Sequence, residues 1–235
     1  LIDHRKHFWL GVRDFLPLVS GVLPFGLIAG ATGVSLGMSP EMVLGMTVLF
    51  FAGSAQLAAY SLIQDNAPFV IILVTAVVVN LRFAIYSATF APLLGPLKKR
   101  YRFPMAYMLS DQVYGLCSMP EQLQKSKHEQ VWYIAGVSIA MALSWLISVV
   151  LGVVLGAGIP PGWSLEFTIP LAFLAMLVST ISNRLLLMVA MISGATIVLL
   201  QWLPYNFGFI VAVTAGVTGG AVLPNLLKMR GASHD

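Results

Sequence analysis

The chain has 235 residues, of which 58% are hydrophobic and only 9% charged, with a mean hydropathy of +0.89 and a formal net charge of +4. A soluble domain carries roughly a quarter charged residues, so a water-solvated globule is excluded, and basic residues gathered in short clusters suit membrane flanks better than a nucleic-acid surface. The single cysteine, Cys117, excludes an intrachain disulfide and a thiolate metal cluster.

In chain order, residues 1–13 form a cytoplasmic N-terminal flank carrying Arg5, Lys6 and Arg13. Apolar runs follow at 15–36, 42–63, 67–97, 103–118, 131–157, 167–183, 185–203 and 207–227. Most have about the length that a membrane-crossing helix needs. The first is too long for a signal-peptide core and ends without a small-residue cleavage pattern, so it is read as a retained helix. Breakers such as Ser39-Pro40-Glu41, Gln64-Asp65-Asn66 and Ile159-Pro160-Pro161-Gly162 separate the runs. The stretch 119–130 is a polar loop and 228–235 a C-terminal tail. The fold class is all-α: one polytopic transmembrane bundle over 1–235, with about six to eight spans.

Basic residues at the N-terminus, Lys98 to Arg102, Lys125 with Lys127, Arg184 and the C-terminus all point to the cytoplasmic side. Eight simple crossings are incompatible with that set, because an inside N-terminus would put Lys98 to Arg102 outside. Two segments are therefore expected to be broken, re-entrant or surface elements. The candidates are the first run, interrupted at Gly21-Val22-Leu23-Pro24-Phe25-Gly26, and 103–118. A weak internal repeat links Leu23-Pro24-Phe25-Gly26 and Ala52-Gly53-Ser54-Ala55 with Ile169-Pro170-Leu171-Ala172 and Ser193-Gly194-Ala195-Thr196. Transporters often carry such repeats, with interrupted helices marking the substrate site.

Polar side chains inside the spans fall in three patches. In Phe51-Ala52-Gly53-Ser54-Ala55-Gln56, small residues allow close helix approach, and Ser54 and Gln56 supply hydrogen-bonding groups; the patch reads as packing or as a substrate wall. In Asn80-Leu81-Arg82 with Tyr86-Ser87, Arg82 and Tyr86 share a helix face. A charge at the bilayer centre costs about 2.5–3.5 kcal/mol even on the lenient scale, so Arg82 needs a partner, a wet cavity or an interfacial position to snorkel to. In Ser110-Asp111-Gln112-Val113-Tyr114, Asp111 lies mid-run on a side chain too short to snorkel. Pairing Arg82 with Asp111 would offset part of both desolvation costs and leave a polar pocket suited to a zwitterion. Pro24 frees a backbone carbonyl, and Gly21 and Gly26 permit a bend there, unless the site is an ordinary kink. Glycines four apart at Gly26/Gly30, Gly33/Gly37, Gly152/Gly156 and Gly216/Gly220 are helix-packing signals, within the chain or toward a second subunit.

No HExxH pair, GxSxG elbow or Walker loop occurs, and His4, His7, His128 and His234 lie in terminal or loop segments. The chain is expected to be no enzyme, with no catalytic residue, metal or cofactor.

On the same residues, Pro24-Phe25-Gly26, Phe51 to Gln56, Asn80-Leu81-Arg82 with Tyr86-Ser87, and Ser110 to Tyr114, the sequence resembles the AzlC-type large subunits of branched-chain amino acid exporters. The second half matches only in hydropathy and length. The resemblance implies a secondary transporter exporting leucine, isoleucine, valine and methionine across a bacterial inner membrane, with a small AzlD-type membrane subunit as partner. It implies a substrate site from Pro24, Phe25, Gly26, Gly53, Ser54, Gln56, Asn80, Arg82, Tyr86, Asp111, Gln112 and Tyr114, with Arg82 and Asp111 coupling transport to its driving force. Two positions depart from the family pattern: Phe83 stands where members often have histidine, and Gln112 where they have an acidic residue. The competing readings are a non-transporting membrane scaffold docked through its glycine faces, and an exporter of another small hydrophobic zwitterion.

Overall fold

The computed structural model describes residues 4–156, 174, 177, 181, 183–203 and 207–231, and among these residues every regular element is helical. Helix α1 spans His4–Phe15 and α2 spans Val19–Ser35, joined by a 3-10 turn at Leu16–Leu18. The expected interruption at Gly21–Gly26 is absent: α2 runs on through Pro24, and the break falls at Pro17 instead. Proline removes one helical hydrogen bond, but Val22, Gly26, Ala29 and Gly30 bury the flanking face and keep the helix continuous.

That face packs against α10, Lys127–Gly156, and the two run parallel. His4 stacks on Trp132, Asp14 accepts a hydrogen bond from Tyr133 at 3.0 Å, Gly26 sits on Ser148, and Gly156 on Ala31. A methyl group on Gly11, Gly30, Gly136 or Gly152 would collide with the partner helix's backbone, so these glycines set the close approach. Gly26/Gly30 and Gly152/Gly156 are thus used within the chain. Parallel packing puts the N-terminal flank and the polar loop before α10 at one end of the bundle, called here the basic end. There His7 meets Glu129 at 3.2 Å, and Ser126 and Glu129 cap α10 reciprocally.

Between α2 and α10 lie two helical hairpins and one long helix. At the far end, α2 stops in a Schellman motif: Gly37 takes a positive φ of 79°, the Met38 amide donates to the Gly33 carbonyl, and the Gly37 amide to that of Val34. Ser39 and Pro40 then start α3, Pro40–Phe50, with the Ser39 hydroxyl accepting from the Met42 amide. The run predicted as one helix over 42–63 is broken at Phe51, whose φ of 45° is left-handed, and resumes as α4, Gly53–Gln64. Val43 and Tyr60 both pack on Gly33 near the far end, whereas Gly53 packs on Phe25 and Trp145 at mid-depth. The α3–α4 pair therefore enters from the far end, turns at mid-depth and goes back.

The chain then returns over Phe69–Leu94, a stretch of 26 residues long and apolar enough to cross a membrane. One non-helical residue, Leu81, divides it into α5, Phe69–Asn80, and α6, Arg82–Leu94. It ends at the cluster Lys98 to Arg102, where α7, Lys99–Tyr107, begins. Tyr107 reaches Phe51 at mid-depth, with ring centroids 5.2 Å apart. After a break at 108–110, α8, Asp111–Cys117, leads back toward α1 and the polar loop. Thus α7–α8 is a second hairpin, opposed to the first. Two re-entrant segments are expected from the basic clusters; the segments that fold back within the bundle are 40–64 and 99–117, the latter overlapping the candidate 103–118, whereas the first run does not fold back. The N-terminal flank, Lys98 to Arg102 and Lys125 with Lys127 share the basic end.

The short α9, Pro120–Leu123, closes the polar loop. Beyond α10, α11 (Arg184–Leu199) and α12 (Phe207–Gly231) form an antiparallel pair, with Gly216 against Ser193 and Gly220 against Val189. Ser193 to Thr196 lies inside the continuous α11, whereas Ala52 to Ala55 sits at a break, so the repeat does not extend to this element. Its other half, 169–172, falls outside the described residues.

Candidate functional site

Three helix breaks converge at mid-depth, and each delivers one polar residue. Ser54 lies in the first turn of α4, not mid-helix as the unbroken run suggested; Arg82 opens α6; Asp111 opens α8, capped by the Ser110 hydroxyl. Arg82 joins the other two: Nη1 donates to Asp111 Oδ2 at 2.6 Å and Nη2 to Ser54 Oγ at 2.5 Å. The second carboxylate oxygen of Asp111 accepts from the Tyr86 hydroxyl at 2.5 Å. The Arg82 side chain is 25% exposed and that of Asp111 35%, so the pair is partly desolvated but open on one side. A charge pair lost at this depth would strand the surviving ion, which explains why the three breaks assemble around one guanidinium.

The open side is a cavity of about 720 Å³, within the roughly 300–1,000 Å³ of small-molecule sites. Ser54, Arg82, Ser110, Asp111 and Gln112 form its polar end, while Phe25, Ile28, Met141 and Trp145 line an apolar wall. Pro24 lines it as well and offers no N–H to the carbonyl one turn back, at Ser20, another lining residue. Phe83 also faces the cavity, with Arg82 Cζ 5.4 Å from its ring centroid. Both positions that depart from the family pattern, Phe83 and Gln112, are therefore wall residues.

Of the residues expected at a substrate site, Pro24, Phe25, Gly53, Ser54, Arg82, Asp111 and Gln112 line this cavity. The other five do not. Tyr86 and Tyr114 stand behind Asp111, with rings stacked 4.6 Å apart, so Tyr114 steadies the tyrosine that bonds the carboxylate. Gly26 is packed on Ser148. Asn80 ends α5 with its side-chain amide oxygen, Oδ1, buried and unpaired. Gln56 is turned into the α3–α4 hairpin: its Nε2 lies 2.7 Å from Tyr60 Oη, 2.9 Å from Thr47 Oγ1 and 3.3 Å from the Val43 carbonyl, sharing two N–H donors among them. It ties the two arms together. Trp145 and Met141 were missed, because single apolar residues in a continuous apolar helix give no periodic signal that separates a cavity wall from a core.

The family model described as AzlC protein matches residues 17–159, which contain all three breaks and both hairpins. An Archaeoglobus fulgidus protein named as an uncharacterized membrane protein is 26% identical over 75% of this chain and 77% of its own length. A Haemophilus influenzae protein of the same description is 25% identical over 68% of this chain and 66% of its own. No solved structure gives a significant match.

Proposed function

The chain belongs to the AzlC family of membrane proteins, and from that premise we propose that it is a secondary transporter exporting leucine, isoleucine, valine and methionine across a bacterial inner membrane. The observation that carries this reading is the amphipathic cavity: a charged pair at one end and an apolar wall at the other, a shape that suits a small hydrophobic zwitterion. A substrate carboxylate can take over Arg82 from Asp111 while the substrate ammonium takes over Asp111. Charge stays balanced, and the link between the hairpin tips is replaced by one that runs through the substrate. Asp111 is the carboxylate among the lining residues, so it is the group on which proton coupling would act. A small AzlD-type membrane subunit is proposed as the partner. The scaffold reading is weaker, since Gly26/Gly30 and Gly152/Gly156 are already packed within the chain.

The test is movement of labelled leucine in vesicles from cells producing the full chain with its small partner, with and without a pH gradient. Gradient-dependent efflux is expected. Leucine movement no faster than in vesicles lacking the chain would contradict the proposal.

A further inference from the structure

A polar end built on a charged pair suits the ammonium and carboxylate that all amino acids share, so a choice between them falls to the apolar wall. Trp145 is the largest side chain among the residues that line that wall. It is 3% exposed, lines the cavity, and lies 5.8 Å from Phe25 between ring centroids. Its indole N–H has no hydrogen-bond partner, so packing alone fixes the ring. The ring packs on Gly53, where an added Cβ would lie 2.8 Å from Trp145 Cζ2 and 2.9 Å from Phe25 Cε1. Gly53 is also the first residue of α4 and precedes Ser54, which binds Arg82. The missing side chain at the hairpin tip is therefore the space that the indole occupies.

Resting on the transporter reading, we infer that Trp145, seated on Gly53, is the specificity-determining residue that sets how large a substrate side chain the cavity accepts. Trp145→Phe shortens the wall and makes room, whereas Gly53→Ala drives the indole and the Phe25 ring toward the cavity and removes room. The two substitutions should shift selectivity in opposite directions, which general loss of structure does not do. A methylene in an apolar pocket changes discrimination by about 10-fold to 200-fold.

The experiment measures labelled alanine, leucine and phenylalanine transport in one vesicle preparation per variant, with the small partner present. Ratios within a preparation do not depend on how much protein folded. Trp145→Phe should raise the phenylalanine-to-leucine ratio about tenfold, Gly53→Ala should lower the leucine-to-alanine ratio by a similar factor, and the double variant should return toward wild type. Unmoved ratios, or shifts in the same direction, alongside normal wild-type flux would overturn this inference and leave the transporter reading standing. No flux of any of the three in wild-type vesicles removes both.

Discussion

The two hairpins meet at the same guanidinium but are built differently. In α3–α4 the arms are bonded to each other, since Gln56 on one arm reaches Thr47 and the Val43 carbonyl on the other, all of them buried. In α7–α8, among the described residues, no side-chain hydrogen bond joins the arms. The tip is instead held from outside, by Arg82 and Tyr86 on Asp111, and Tyr107 Oη donates to the Val48 carbonyl of the opposite hairpin. One hairpin is tied internally by buried side-chain bonds; the other is held at its tip by the Arg82 and Tyr86 contacts to Asp111, which a zwitterionic substrate can replace, by Tyr107 on Val48, and along its arms by the buried Met105, Val113 and Cys117. If the chain transports as proposed, this difference makes α7–α8 the hairpin expected to move and α3–α4 the one expected to stay fixed.

Substitutions separate the two roles. Arg82→Gln should have the largest effect, because it unlinks both tips at once and strands Asp111. Charge-assisted hydrogen bonds contribute about 1.5–3 kcal/mol each, so folded yield in the membrane and leucine export should both fall severely. Fluorescence-detected size exclusion and vesicle flux check this; normal yield with lost flux would reduce Arg82 to a substrate contact alone. Asp111→Asn keeps size and much of the hydrogen bonding while removing the charge from the tip of α7–α8. Export per folded molecule should drop about 100-fold, which corresponds to about 2.7 kcal/mol, with near-normal insertion. Near-normal export would leave Asp111 structural and move the site toward Pro24 and Ser54. Gln56→Leu should do the reverse, lowering stability by about 1–3 kcal/mol, because Thr47 and Tyr60 lose their buried partner. That amounts to about 2–4 °C of Tm per kcal/mol in a chain of this size. Transport per folded molecule should stay within about threefold of wild type. A large transport loss at unchanged Tm would return Gln56 to the substrate site.

Much of this was legible in the sequence, for physical reasons that also mark where legibility stopped. Basic clusters indicate which parts of the chain share a side, so the expectation of two re-entrant segments follows from the N-terminal flank, Lys98 to Arg102 and Lys125 with Lys127 taken together. An arginine and an aspartate at bilayer depth have few low-cost solutions, and pairing Arg82 with Asp111 is one of them. Which segments fold back was harder to read. Pro24 looked like a breaker, yet packing on α10 carries the helix through it. The break that matters, at Phe51, has neither proline nor glycine at the positive-φ residue. Gln56 was assigned by its neighbours in sequence, whereas its orientation depends on the hairpin, which no local pattern reveals.

The opposed hairpins themselves are tested most directly by sidedness. In a background with the buried Cys117 replaced by serine, single cysteines at Glu41 and Asp65, which flank α3–α4, and at Lys99 and Lys127, at the basic end, are exposed to an impermeant thiol reagent outside intact cells. Cysteines at Glu41 and Asp65 should label, and those at Lys99 and Lys127 should be protected until the membrane is permeabilised. Labelling of Lys99 together with Glu41 from outside, or of only one of the pair Glu41 and Asp65, would contradict the arrangement of two hairpins entering from opposite faces.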